Sequence, residues 1–237
     1  MEIAKGIEIV DLSLYIKKHK ILVLGDVHIG YEESLNKQGI LIPRFHFSDL
    51  MQKTEIILNK TNPKQIIING DLKHEFGTIS DTEWKQTMKF LEFLTQKAEV
   101  VLLKGNHDKI LEPIANKKNL GISDYYSVDD IYICHGDRIP ENLEFSKSKT
   151  VIIGHEHPAI ALREEPRVEK YKCFIKGKYK SKTLIVMPSL NLVTEGTDLL
   201  SEKLLSPFLK QNIDNFDVFI PGKKIYNFGK LKRLRGL

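Results

Sequence analysis

Five short polar clusters in the sequence have the residue types for metal chemistry: GDVH, GDLKH, GNHD, CHGD and GHEH. Seven of their residues are candidate ligands: Asp26, His28, Asp71, Asn106, His135, His155 and His157. Carboxylate, imidazole and amide oxygen form a mixed O/N donor set without sulfur. Such a set suits manganese, iron or zinc rather than calcium. Seven ligands are too many for one catalytic zinc, which takes three from the protein. They suffice for two ions if one carboxylate bridges. Two ions about 3.5–4 Å apart can clamp the attacking and leaving oxygens of a phosphoryl displacement, and they lower the pKa of a shared water.

Something must bring these clusters together, because they are spread from residue 25 to residue 157. Each follows a short apolar run: ILVLG, QIIIN, VVLLK, IYIC and VIIG. Runs of this length fit strands buried on both faces. Helices are expected between them. One spans residues 48–60 with Ser48 as its cap. Another starts near Ser80, where Ser80 and Glu83 match a capping box and Trp84, Met88 and Leu91 share one face. Strands alternating with helices predict parallel strands with crossover connections, whose ligand sites gather at the carboxyl ends of the strands. After Val151 the character changes. AIALRE, YKCFIKG and KTLIVMPS read as strands joined by turns, one of them around Lys176, Gly177 and Lys178.

The order DxH, GDxxH, GNHD, H, GHxH resembles the calcineurin-like metallophosphoesterase superfamily. A lone DxH or HxH is a weak signal. Five motifs in order, each behind an apolar strand, are a strong one. The resemblance implies an α/β fold, a four-layer α-β-β-α sandwich with two mixed β-sheets. It also implies roles. Asp26, His28 and His157 would hold a first ion, Asn106, His135 and His155 a second, and Asp71 would bridge. Hydroxide held by the ions would attack phosphorus, and His107 would protonate the leaving oxygen, a task suited to an imidazole. His74 stands where many phosphatases of the superfamily have Asp. GDLKH is similar to the GDLFH of SbcD-type DNA repair nucleases, and His74 would orient His107 or touch the substrate phosphate. GDVHIGYEESLNKQGILIPR and GHEHPAIALRE look most like small SbcD-related archaeal and bacterial proteins, some of them partners of helicases or ligases. The ions expected are two divalent cations, Mn2+ first, with Fe or Zn as alternatives.

Bulk properties leave this reading open and exclude others. The chain has 237 residues, 41% hydrophobic and 28% charged, which fits one folded domain over 1–237 and not a disordered chain. The net charge of +5 permits a polyanionic partner without requiring one. Cys134 and Cys173 form no CxxC pair, so a cysteine zinc site is excluded and a reducing compartment is expected. No apolar stretch approaches the roughly 20 residues of a membrane span, and residues 1–20 lack the apolar core of a secretory signal. A cytoplasmic protein is expected.

Other residues have weaker signals. Arg44, in LIPRFHF, is a candidate substrate contact, with loop packing as the alternative. His19 and His46 match no motif and are expected at the surface. Glu156, between two ligands, should point away from them in an extended segment. Asp108 either supports His107 or is a first-turn helix acid. Cys134 reads as a buried small hydrophobe, and Tyr31 as surface packing. Two basic stretches, residues 221–237 and the even positions Lys172 to Lys182, would meet a polyanion, keep an edge strand soluble, or form a solvated terminus. Three functions follow. The first is a DNA-directed phosphodiesterase or nuclease linked to repair. The second is a nucleotide or cyclic-nucleotide phosphoesterase. The third is a non-catalytic protein-binding scaffold, which an intact ligand set argues against.

Overall fold

The apolar runs become the central strands of two facing sheets. The computed structural model describes residues 1–42, 45–77, 79–108, 110–164 and 167–235. The first sheet has seven strands in chain order: β1 (Glu2–Ala4), β2 (Ile7–Val10), β3 (Ser13–Ile16), β4 (Ile21–Gly25), β5 (Gln65–Asn69), β6 (Glu99–Leu103) and β7 (Gly121–Ser123). Pairing is antiparallel from β1 to β4 and parallel from β4 to β7. The second sheet contains β8 (Tyr125–Val128), β9 (Ile131–Cys134), β10 (Thr150–Ile153), β13 (Phe174–Tyr179), β14 (Lys182–Val186), β16 (Asp217–Pro221) and β17 (Ile225–Lys230). Its order is β17-β16-β13-β14-β10-β9-β8, with β9, β10 and β14 parallel. A smaller sheet joins β11 (Pro158–Glu164) to β12 (Arg167–Lys172) and β15 (Thr197–Asp198).

Strand alternation explains why the runs are apolar throughout. In β4, Ile21 and Val23 face the second sheet, where Ile133, Ile152, Phe174 and Ile185 meet them. Leu22 and Leu24 face the other way, onto Ile57, Phe90, Leu91 and Leu94. Those last four come from α2 (His46–Thr61) and α3 (Asp81–Thr95). α1 (Tyr31–Lys37) and α4 (Glu112–Lys118) complete the helical connections of the first half. The outer face of the second sheet is covered more thinly. Phe145 of α5 (Leu143–Lys147), Phe208 and Leu209 of a 3-10 turn, and Leu231 and Leu234 of another pack there. This is the four-layer α/β sandwich the resemblance implies, with one outer layer built mostly of short pieces. Among the described residues, no helix is long and apolar enough to cross a membrane.

Several local expectations change. α2 begins at His46 rather than Ser48, and its N-cap residue, Phe45, supplies no side-chain bond. The expected turn at Gly177 is absent: β13 runs through it, and the chain reverses at Lys180, whose φ is 53°. Gly177 lacks a side chain because the Phe216 ring lies across it. YKCFIKG is two strands, parted at Cys173, whose N–H donates to Pro158 O. The even-numbered lysines are therefore not one stripe. Lys172 is held by the Ser189 and Asn191 carbonyls, Lys176 by that of Ile3, and the buried Lys182 by those of Ser146 and Ser148. The basic stretch of residues 221–237 is structured over much of its described part. It forms β17 and the 3-10 turn, with Lys230 paired to Asp217 and Arg235 to Asp214.

Candidate metal centre

Register decides where the clusters meet. Gly25 is level with Asn69, and Asn69 with Leu103, so three of the loops leave the first sheet from one edge. Ile152 pairs with Ile133, which brings the loops after β9 and β10 to the facing edge of the second sheet. The two edges are stitched directly. Asp26 carboxylate accepts the His155 N–H at 3.1 Å, while within the first sheet's own edge His28 N–H donates to Asp71 O at 2.9 Å.

Among the described residues three groups of donors result; His28, His74 and His107 form one, and the other two are built from the predicted ligands. Asp26, His28 and His157 converge at one place, and Asp71, His135 and His155 at another, with ligand atoms in each group within 4.8 Å of one another. In the first, His28 Nε2 and His157 Nε2 are 3.2 Å apart, and His157 Nε2 is 3.3 Å from Asp26 Oδ1. In the second, His155 Nδ1 lies 3.1 Å from His135 Nε2, which lies 2.9 Å from Asn106 Oδ1. Asp71 Oδ2 stands between them, 3.7 Å from His28 Nε2 and 3.4 Å from His135 Nε2. All seven sequence-predicted ligands are therefore brought together. Nitrogen lone pairs and carboxylate oxygens aimed at common points fit divalent cations, which neutral imidazole and carboxylate ligate.

The electrostatics agree with that fit. His28 is pushed down to about 3 by burial and by neighbouring His157. His74 is pushed down to about 4 by burial and by His107, and His155 is lowered by burial and by His135. These imidazoles are neutral near pH 7 and present lone pairs. Burial alone would raise both carboxyls, but His157 holds Asp26 and His135 holds Asp71 below their ordinary values. Burial would lower His135, yet its bond to Asp71 and the charge of Asp26 raise it to about 9. A cation placed among these groups would displace that proton.

His107 sits beside the donors, with Nε2 3.9 Å from Asp71 Oδ2. Its N–H donates to Asp71 Oδ1 at 2.9 Å, and its Nδ1 lies 2.5 Å from His74 O. A carbonyl only accepts, so Nδ1 bears hydrogen and Nε2 faces the ligands. His74 thus orients His107 through its main chain, not its ring. That ring lies 4.4 Å from Tyr31 and 5.5 Å from His28. Tyr31 is accordingly a wall of the site. Arg44 lies outside the described residues. Glu156 points away, as expected, and accepts the Leu205 and Ser206 N–H groups at 2.8 Å each. Asp108 is no helix acid: buried, it accepts from Gly105 N–H at 3.1 Å, and more loosely from those of Leu72 and Lys73 at 3.4 Å, tying two ligand loops together. His19 pairs with Asp129 at 2.8 Å, away from the centre.

Four supporting residues escaped the sequence reading. Glu83 matches half of its capping box, since Ser80 Oγ accepts the Glu83 N–H. Its carboxylate does not return to Ser80; it accepts the N–H groups of His74 and Glu75 at 2.7 and 2.9 Å. Lys73, fully buried, donates to the carbonyls of Glu75 and His107. Ser189 Oγ donates to Asp26 O at 2.6 Å, and Asn191 Nδ2 to Val27 O and His28 O. A signal existed for the last two, because MPSLN follows the apolar strand β14 just as the other clusters follow theirs.

Two edges of a layered sandwich meeting at a mixed Asp/His/Asn centre define a metal-dependent phosphoester hydrolase. Residues 19–214 match the calcineurin-like phosphoesterase family, and the chain belongs to it. No curated protein matches the chain in sequence. Among solved structures, it is similar to the nuclease MPE of Pseudomonas putida, at 17% identity and TM-score 0.65, covering 92% of each chain. It is more loosely similar to Yfce, a phosphoesterase from E. coli, at 12% identity and TM-score 0.42, covering 86% of this chain and 88% of that one.

Proposed function

We propose that the chain is a two-ion phosphodiesterase that acts on DNA. The observation that supports it most is the position of Asp71 Oδ2 between His28 and His135, where one carboxylate oxygen can serve both donor groups. Asp26, His28 and His157 would hold one ion and Asn106, His135 and His155 the other, with Asp71 placed to serve both. Divalent ions such as Mn2+ would supply Lewis acidity there, making a water nucleophilic near neutral pH and neutralising charge on the phosphoryl oxygens. His107 Nε2 faces the same space and gives its proton to the departing oxygen. Its Nδ1–H stays bonded to His74 O, which fixes the ring plane. The partly buried His74 ring, beside Tyr31, lines the substrate side.

DNA as substrate is supported by the GDLKH motif and by the overall likeness to a nuclease, not by the two basic stretches, in which Lys172, Lys176, Lys182 and Lys230 are committed to carbonyls or an acid. A second reading, a small nucleotide, has its own observation. A cavity of about 850 Å³ opens beside Asn106 and His135, and Glu112, Asp124, Asp137 and Glu141 outnumber Lys104 and Arg138 on its walls. Acid-lined walls repel the many phosphates of DNA more strongly than the few charges of a single nucleotide. The test is manganese-dependent cleavage of end-labelled single- and double-stranded DNA beside a small aryl phosphodiester, with Asp71→Asn as control. DNA cleavage that fades steeply with salt supports the first reading. Cleavage of the small diester alone refutes it and supports the second. A helicase or ligase as partner would be sought by co-purification only after DNA cleavage is seen.

A further inference from the structure

A lysine side chain that is 0% exposed is unusual, because burial removes its hydration and freezes a long flexible chain. Lys73 makes no ion pair among the described residues. Its Nζ instead donates to two main-chain carbonyls, that of His107 at 2.7 Å and that of Glu75. An apolar side chain would fill the same space more cheaply, so the bonds themselves need a reason.

Those bonds complete a grip on one histidine. His107 is held by its N–H on Asp71 Oδ1, by its ring Nδ1 on His74 O, and by its carbonyl on Lys73 Nζ. All three contacts come from residues 71–74. The second bond of Lys73 holds the carbonyl of Glu75, and the next residue, Phe76, lays its ring on His107 with centroids 3.7 Å apart. One ammonium thus ties together the turn that bears His107 and the segment that covers it. The backbone N–H of Lys73 is itself directed at buried Asp108, and Glu83 holds the two N–H groups that follow. Lys73 is therefore anchored rather than free to swing.

We infer that Lys73 is a positioning residue for the proton donor: it fixes the His107 ring so that Nε2 meets the departing oxygen. This rests on the reading of His107 as that donor. A donor matters most when the leaving group is basic, and little when it departs readily as an anion. A small misplacement of a catalytic group costs up to about 100-fold in rate.

The experiment measures kcat and KM for a series of aryl phosphoesters turned over by the wild-type holoenzyme, from p-nitrophenyl to unsubstituted phenyl. Lys73→Met and His107→Gln are compared at saturating manganese, with metal content measured per chain. Lys73→Met should lose about 10–100-fold in kcat on the phenyl ester and at most a few-fold on the p-nitrophenyl ester, with metal content retained. Lys73→Gln, which keeps an N–H donor, should recover part of the loss, and it is the variant to read if the methionine variant does not fold. An equal loss across the series, or none, overturns the inference, because a merely structural lysine would not discriminate leaving groups. If His107→Gln shows no steeper dependence on the leaving group than wild type, His107 is not the donor and the inference falls with it. If only His107→Gln steepens, the donor stands and Lys73 does not position it.

Discussion

Glu83 gives a prediction whose size can be worked from its contacts. Its carboxylate is buried under the segment that bears His74, accepting from His74 N–H at 2.7 Å and Glu75 N–H at 2.9 Å. His74 N–H also reaches Ile29 O at 2.9 Å, so it keeps an acceptor if Glu83 is truncated. Glu75 N–H has no such second acceptor among the described residues. Glu83→Ala therefore leaves one amide unpaired, at a cost of about 1–3 kcal/mol. For a chain of this size that lowers Tm by about 2–12 °C. Glu83→Gln retains an oxygen for both amides. It also removes a charge whose burial raises the carboxyl's pKa, which offsets the weaker hydrogen bonds. The glutamine variant should stay within about 1 kcal/mol of wild type. Thermal unfolding of the three proteins at pH 7, with the same metal loading, decides the matter. Equal destabilisation by Ala and Gln would show that the charge matters and not the acceptor oxygen. An alanine variant as stable as wild type would show that the two bonds contribute nothing.

Three further outcomes follow from the same geometry. In the metal-free protein, His135 at about 9 lies above its ordinary 6.5, so the stability it contributes is complete below about pH 6.5 and is lost as pH rises through 9. Metal binding between pH 7 and 9 should release about one proton from this group and tighten with rising pH; titration calorimetry in two buffers of different ionisation heat would see it, and buffer-independent heats would refute it. Gly105→Ala would drive a methyl into the Asp71 carboxylate and should weaken metal binding by about 10–100-fold, measured by competition with a chelator; unchanged affinity would mean that the Asp71 position tolerates movement. Cys134 is buried and its thiol is pushed up to about 12 by that burial, so it should resist iodoacetamide in the native protein and react only after unfolding.

What the sequence makes legible is what local chemistry determines. The central strands could be read because burial on both faces demands unbroken apolar runs, as in β4 and β5. The candidate ligands could be read because a metal accepts few residue types. Supporting contacts could not. Glu83 looks like a capping residue from its spacing, and Ser80 does cap the helix, but only the tertiary fold brings residues 74 and 75 within reach of its carboxylate. The lysines of residues 172–182 look like a charged face under strict alternation. The breaks at Cys173 and Lys180 destroy that alternation, and carbonyls from distant segments take up the ammonium groups of Lys172, Lys176 and Lys182. Gly177 reads as a turn residue, yet what excludes a side chain there is Phe216, nearly forty residues later.

Backbone conformation joins these levels. Asp26, His28, Asp71, His155 and His157 all have φ between 46° and 63°. Residues other than glycine visit this left-handed region rarely, and each such residue costs of order 1 kcal/mol or more. Elsewhere in the chain such conformations end helices, as at Asn62 and Asn119, or turn hairpins, as at Lys180. At the centre they serve to turn side chains inward immediately after a strand ends. The conformations persist because fixed partners hold them: Asp26 O by Ser189, Val27 O and His28 O by Asn191, Asp71 O by the His28 N–H, and the His155 N–H by Asp26 itself. The strain and the supporting bonds are therefore one structure. Asn191→Ala would remove the two bonds that hold the Val27 and His28 carbonyls, freeing His28 to relax towards an ordinary φ. The expected result is weaker occupancy of the Asp26, His28 and His157 group, with the Asn106, His135 and His155 group less affected. Metal stoichiometry by mass spectrometry of the native protein would show less metal per chain than in wild type; metal content and affinity equal to wild type would refute the link between the strained backbone and the metal.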